Sequence, residues 1–391
     1  MNQPATASVS VSTSLADFDA SAWDALNPTG FPFVSHAFLH ALETTGCLGE
    51  AHGWYPHYLS VRDENGTLLA AAASYVKTNS YGEFVFDHAW ADAWERAGGA
   101  YYPKLVVSCP YTPATGPRLL VHPEATDPAG LRQLLATALV QLSEKLKLSG
   151  THVLFTSDAD AAAFSNAGFV RRTDVQYHWR NRGFASFGDY LGALNARKRK
   201  NVRRERQQVE AQGIRLSWRD GGTLTLAEWQ QVHALYAGIY ERKWGVPSLS
   251  PAFFQCLGER MPHNSHVVFA YTEAQPETPV ACAILFSGGG ALYGRYWGCH
   301  APFRSLHFEA CYYQGIEHCI RKGLTLFEPG AQGEHKIARG FLPTYTHSWH
   351  RLNHDGFQSA VSDFLARETP AVERHHAMLT QSSPYRQSDN A

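Results

Sequence analysis

The sequence predicts an α/β (α+β) protein built from two similar units in tandem. Three observations carry that prediction. The chain has 391 residues, more than one hydrophobic core normally supports, so two domains are expected. Each half shows the same order of elements: helix, meander strands, helix, strand, helix, strand. The C-terminal half also holds a short apolar run, Thr325-Leu326-Phe327, bounded by Gly323 and by Pro329-Gly330. That is the pattern of a buried strand ended by a turn.

Taken in order, residues 1 to about 14 are small and polar and are expected to fray. Residues Phe33 to Leu42 predict a short helix with Ser35 as N-cap. His57 to Arg62 and Leu68 to Val76 flank Asn65-Gly66, a strong hairpin signal. Leu105 to Ser108 predicts a buried strand, ended by Pro110 and Pro113. Leu131, Leu134, Leu135, Ala138, Leu139, Leu142 and Leu146 keep helical spacing. A strand from His152, a short helix from Asp158 and a strand from Phe169 to Trp179 follow. In the second half, Trp229, Val232, Tyr236, Ile239 and Tyr240 form one helical face. Strands over Val267–Tyr271, Val280–Phe286 and Ala291–Trp297 come next, then a helix over Phe308–Cys319. The Thr325–Phe327 strand, a short helix over Glu334–Arg339 and a last strand over Tyr345–Leu352 complete the order. The expected segmentation is an N-terminal domain over 15–182, a basic helical insertion over 183–222, a C-terminal domain over 223–366 and a tail over 367–391.

Composition sets limits on function. The net charge of −1 removes any whole-chain attraction to polyanions, so a nucleic-acid role must rest on a local patch. Seven scattered cysteines without a CxxC indicate neither a zinc ribbon nor a disulfide framework. They suit a reducing cytoplasm, the expected location. The twenty histidines show no HExxH spacing, so no metal is expected. The N-terminus lacks the pattern of a signal peptide, and no run approaches the ~18 apolar residues of a membrane span.

The stretch GLTLFEPGAQGEHKIARGF, residues 323–341, gathers the most chemistry. Its strand ends at Glu328, and the turn beyond delivers Gln332, Glu334, His335, Lys336 and Arg339. A carboxylate, an imidazole, an amine and a guanidinium at a strand end point to a site. The plainer reading is a solvated helix cap. A second candidate region runs from Asn79 to Pro117, where Asp87, Trp90, Asp92, Tyr101, Tyr102, Lys104, Tyr111 and Thr112 are expected to line a ligand pocket or to fill an aromatic core. Third, Arg197, Lys198, Arg199, Lys200, Arg203, Arg204 and Arg206 fall within ten residues. At ~100° per residue these cations point in all directions, and such density calls for an anionic partner: an RNA backbone, a nucleotide pyrophosphate or acids of the same chain.

The order of elements resembles the GNAT acyltransferase fold. VLFTSDADAAAFSNAGFVRR in the first half and GLTLFEPGAQGEHKIARGF in the second occupy equivalent places. Two such domains with a basic helical insertion resemble the Fem-type peptidoglycan-bridge aminoacyltransferases. The segments YYPKL, PYTPATGPRLL, RKRKNVRRER, LYGRYWGC and HFEACYYQGIEHC resemble a bacterial family of predicted N-acyltransferases. The resemblance implies two mixed, mostly antiparallel sheets flanked by helices. It implies an N-acyltransferase that moves an acyl or aminoacyl group from an aminoacyl-tRNA or acyl-CoA cosubstrate to an amine of a small molecule or peptide, with no tightly bound cofactor. The donor enters such folds where two central strands splay apart, here LYGRYWG and TLFEPG. Glu328, His335 and Lys336 are then the expected catalytic residues. Arg295, Trp297, His307, Glu309, Gln332, Glu334 and Arg339 are expected to bind substrate, and the basic insertion to engage tRNA. One departure matters. Acetyl-CoA enzymes of this fold carry a glycine-rich pyrophosphate loop before the following helix. This chain has GCHAPFRSLHFEA there, without those glycines, and HPEATDPAGLRQ in the first half also lacks them. The departure favours an aminoacyl donor. The alternative expectation is a non-catalytic RNA- or peptide-binding protein on a degenerate acyltransferase scaffold.

Overall fold

The Asn65-Gly66 turn sets the register of the first hairpin. In the computed structural model, which describes residues 8–242, 245–331 and 333–386, Gly66 has φ +82°, a conformation glycine adopts at little cost. Adding to β1 (Ser8–Ser12), strands β2 (Trp54–Arg62) and β3 (Leu68–Lys77) pair antiparallel around that turn. The polar N-terminal stretch expected to fray thus contributes an edge strand. Next, β4 (Lys104–Val107) pairs with β3, as does the short β5 (Leu120–Val121), and β6 (Gly150–Leu154) runs parallel to β4. The leucine-rich helix Pro128–Lys145 starts at Asp127, whose carboxylate accepts from the Gly130 N–H. It buries Leu135, Ala138 and Leu139 in a core with Leu59, Leu105, Val107 and Val153. This first unit comprises Met1–Asp174 and Tyr345–Arg374.

The chain passes into the second unit within β7 (Val170–Arg180). The second unit comprises Val175–Thr344 and His375–Ala391. Its further strands are β8 (Ile214–Asp220), β9 (Ser265–Thr272), β10 (Ala281–Gly288), β11 (Ala291–Cys299) and β12 (Leu326–Glu328). The spatial order is β7-β12-β11-β10-β9-β8. Only β11 and β12 pair in parallel within it; their neighbours pair antiparallel. Trp179, Leu285, Leu292, Ile316, Phe327 and Phe341 belong to its core. The last strand, β13 (Leu342–Leu352), re-enters the first unit and pairs antiparallel with β6 over Ser348–Leu352.

These units differ from the expected segmentation. The basic stretch is not a separate insertion. Its helix, Ala196–Glu210, buries Val202 and Val209, seven residues apart on one stripe, and β8 follows as part of the second sheet. The expected tail from 367 is the second half of the helix Asp355–Gln381. Phe357, Val361 and Leu365, at four-residue spacing, join Trp90, Tyr101 and Leu352 in the first unit's core. Sequence order hides such returns because they depend on long-range pairing.

Gly298 carries β11 hard against the helix Leu226–Glu241. A Cβ there would lie 2.4 Å from the Leu235 carbonyl carbon. Gly298→Ala is expected to lower stability by ~1–3 kcal/mol. Urea unfolding monitored by tryptophan fluorescence measures this.

Candidate active site

β11 and β12 run together for three residue pairs and then part. Their register is Ala291↔Leu326, Leu292↔Phe327 and Tyr293↔Glu328. Two local causes separate them. Pro329 ends β12, because it has no N–H for the ladder. In β11, Leu285 of β10 faces Gly294 while Ile284 faces Tyr296, so Arg295 is the extra residue of a β-bulge. Gly294 permits the close passage of Pro329, whose Cα would sit 3.3 Å from an added Cβ. Beyond the divergence lies a cavity of about 100 Å³ lined by Gly294, Arg295, Trp297, His307, Cys311, Tyr312 and Pro329, among others. A second cavity, about 260 Å³, is lined by Tyr236, Ile239, Tyr240, Arg295, Tyr296 and Trp297. The bulged segment therefore borders both.

The cavities open on opposite faces of the sheet. Phe327 and Leu292 pack on Gly315 of the helix Gln314–Lys322, and Tyr296 packs on Tyr236 of the helix Leu226–Glu241. Alternation along β12 puts Glu328 on the face opposite Phe327.

Of the expected catalytic residues, Lys336 is the most deeply buried. It is 2% exposed, and its ammonium donates to the Gly330 carbonyl at 2.6 Å. Burial pushes its pKa down to about 8; Cys311 opposes that and Arg295 adds to it. Glu328 is buried, with Oε2 3.9 Å from His178 Nε2. Burial lowers His178 to about 3, with Arg180 and Lys336 adding, so its imidazole is neutral. His335 is exposed at the rim, its Nε2 3.1 Å from the Tyr312 hydroxyl. The three residues are thus near one strand end, with Lys336 on the Gly330 carbonyl, His335 beside the Tyr312 hydroxyl and Glu328 beside His178. His307 lines the first cavity, and burial holds its pKa at about 4, helped by His335, Lys336 and Arg339.

Several expected substrate ligands are structural. Arg339 forms a two-point ion pair with Glu205, at 3.0 and 2.6 Å, and lies 3.4 Å from the centre of the Phe308 ring. Glu309 is bound by Arg206 at 3.1 Å and by Gln314 at 2.8 Å. Glu334 is exposed, 3.8 Å from His375. Gln332 lies outside the described residues. In the basic stretch, Arg206 also binds Glu317 at 2.9 Å, so it is spent internally. Arg197, Lys200, Arg203 and Arg204 are exposed, and Lys198 and Arg199 half-buried.

The expected first-half pocket is instead core. Asp87, Trp90, Lys104, Tyr111 and Thr112 are all buried. Lys104 is neutralised by Glu83 at 2.8 Å and Asp87 at 2.5 Å, and Tyr101 donates to Asp87 at 2.6 Å. The first unit's parallel pair, β4 and β6, is also closed beyond Val107 and Val153. Gly116 donates to the Phe155 carbonyl, Ser157 donates to the Gly116 carbonyl, and the Arg118 side chain donates to the carbonyls of Leu154 and Ala114.

Other features escaped sequence reasoning. One turn of π-helix, Glu309–Tyr313, turns Cys311 and Tyr312 into the cavity, a distortion common at functional sites. Its only sequence signal is the aromatic density of FEACYY. The side chain of Gln212 brackets Arg304, accepting from its N–H at 3.0 Å and donating to its carbonyl at 2.9 Å. Ser305, just before the helical turn at Leu306, donates to Gln208 at 2.9 Å.

Each of the two units is a mixed sheet flanked by helices. Solved structures agree at the level of fold. FemX matches at 9% identity and a TM-score of 0.55, over 88% of this chain and 98% of that one. The C-terminal domain of a putative lysylphosphatidylglycerol synthetase from Agrobacterium fabrum matches at 9% identity and 0.54, over 90% and 96%. A conserved protein of unknown function from Bacteroides thetaiotaomicron matches at 10% identity and 0.50, over 88% and 99%. No curated protein matches the chain. The chain belongs to the FemAB-like family, described as peptidoglycan biosynthesis/recognition, whose model spans residues 14–387. The protein is an acyltransferase of this Fem-related class. No described helix is long and apolar enough to cross a membrane.

The depressed pKa of Lys336 has a measurable consequence for stability. Its folded pKa of about 8 lies below the ordinary lysine value of 10.5. The cost of burying the charge is therefore present in full below pH 8 and is relieved as pH rises toward 10.5. Lys336→Met is expected to raise stability at pH 7 by roughly 2–3 kcal/mol, an advantage that shrinks above pH 8. Denaturant titrations at pH 7 and pH 10 test the sign.

Proposed function

We propose that the second unit transfers an aminoacyl group to an amine of a small molecule or peptide, with the reaction centred on the bulge at Arg295. The observation that carries this is the parting of β11 and β12 beside the buried Lys336. The donor enters the first cavity, and the acceptor approaches from the face that carries Glu328. The amine nitrogen attacks the acyl carbon directly. Glu328 takes the proton released by the nitrogen. The Lys336 ammonium stabilises the oxyanion and protonates the leaving oxygen, a task suited to an acid of pKa about 8. The first unit's closed strand pair supports a single transfer site per chain.

An aminoacyl-tRNA donor is favoured over acyl-CoA by the loop before Leu306. Gln212 occupies both the N–H and the carbonyl of Arg304, where a pyrophosphate loop would need free amides. Six cations of the helix Ala196–Glu210 remain for an RNA backbone once Arg206 is bound to Glu309 and Glu317. The family's description supports a peptidoglycan-related peptide as acceptor, met in the cytoplasm before export.

Lys336→Ala is expected to lower kcat for aminoacyl transfer by ~10²–10³, and Glu328→Gln by ~10–100-fold. The assay follows labelled amino acid passing from a charged tRNA pool to an amine acceptor. Full activity in the double variant would remove these roles. Ribonuclease treatment should abolish transfer, whereas thiol release from acyl-CoA at a matching rate would overturn the donor assignment. Replacing Arg197, Lys200, Arg203 and Arg204 by Gln should weaken tRNA binding and flatten its salt dependence by about one unit of slope for each phosphate no longer neutralised. Filter binding at several salt concentrations reads both.

A further inference from the structure

We propose that Asp220, His266 and Ser287 form a separate serine-nucleophile site in the second unit, which hydrolyses small carboxylic esters through an acyl-serine. The three residues lie in a row across β8, β9 and β10. Asp220 and His266 are register partners. Asp220 Oδ1 lies 2.8 Å from His266 Nδ1, and His266 Nε2 lies 2.8 Å from Ser287 Oγ. A carboxylate at Nδ1 holds the proton on that nitrogen and leaves the Nε2 lone pair facing the hydroxyl. That is the order of groups an activated serine requires.

The surroundings hold this row in place and leave it approachable. Trp218 donates its indole N–H to Asp220 at 3.3 Å and stacks on His318 with ring centres 4.0 Å apart. Both rings pack against His266, at 5.4 and 5.3 Å, which fixes the imidazole plane. Burial lowers the His266 pKa and Asp220 opposes that, so the ring is neutral and able to accept a proton at pH 7. Asp220 keeps 51% of its side chain exposed. Ser287 is half-buried and is followed by Gly288, Gly289 and Gly290, which carry no side chain that could cover Oγ. Ser287 pairs with Leu292, close to the β10–β11 turn, whereas the bulge of the transfer site lies beyond Leu285. The two sites share no residue.

The chemistry balances with water alone. Oγ attacks the ester carbonyl carbon and its proton passes to His266 Nε2. The bond from the acyl carbon to the alcohol oxygen breaks, and the alcohol leaves with that proton. Water then attacks the acyl carbon, His266 takes its proton and returns it to Ser287 Oγ, and the carboxylic acid departs.

The full-length chain, exposed to a fluorophosphonate probe and digested for peptide mapping, should carry the adduct on Ser287. Hydrolysis of 4-nitrophenyl acetate should fall ~100-fold or more in Ser287→Ala and ~10-fold or more in Asp220→Asn, with melting curves matched to the parent chain. Unchanged hydrolysis in a folded Ser287→Ala, or an adduct that maps elsewhere, would overturn the assignment. Should Ser287→Ala fail to fold, the absence of any Ser287 adduct on the parent chain at saturating probe is equally decisive.

Discussion

The divergence of β11 from β12 is the constraint on which the rest of the second unit depends. Parallel strands hold together while each amide finds its partner. Pro329 withdraws a donor and Arg295 adds an extra residue, so the ladder stops while both strands stay anchored on the core through Leu292 and Phe327. The result is an opening lined by Gly294, Arg295 and Pro329 from the strand ends and by His307, Cys311 and Tyr312 from the helical segment that follows. In the first unit the same kind of parallel pair is closed by the chain itself, with Gly116 and Arg118 taking the backbone groups that the opening would expose. Polar backbone cannot be left without partners, so an open pair must be met by water or a ligand and a closed pair must be capped.

Around the opening, charge is arranged by burial more than by attraction. Among the described residues, Lys336 has no carboxylate in hydrogen-bond reach and is held instead by a carbonyl. It therefore titrates near neutrality, which suits proton transfer. Arg339 has the opposite fate. It is paired at two points with Glu205, which also accepts from the Tyr313 hydroxyl. Breaking that pair would strand a mostly buried guanidinium, at a cost on the order of 3–5 kcal/mol. The basic helix is thus fastened by a minority of its own residues, Glu205, Arg206, Val202 and Val209. The remaining cations are left to the solvent face.

These interactions explain which parts of the fold and site were legible in the sequence. The Asn-Gly hairpin, the leucine stripe of Pro128–Lys145, the Ser35 cap and the strand before Pro329 all rest on local rules, and each formed where those rules put it. Lys336 stood out because a buried strand rarely leads into so many ionisable groups. Asp87, Lys104 and Arg339 stood out equally well and proved to be core, because their partners, Glu83 and Glu205, come from distant or unremarkable positions. Nothing local distinguishes a cation awaiting a ligand from one already neutralised.

The sequence alone settled the alternation of elements and the family, since periodicity, turn residues and short motifs are properties of neighbours in the chain. Tertiary structure decided which strand pair stays open and which charges are spent on the protein itself. It also decided that a polar stretch and an apparent tail belong to the two cores. Those outcomes turn on burial and on pairing between residues far apart in sequence, and burial sets both the protonation of Lys336 and the cost of every unpaired group around it.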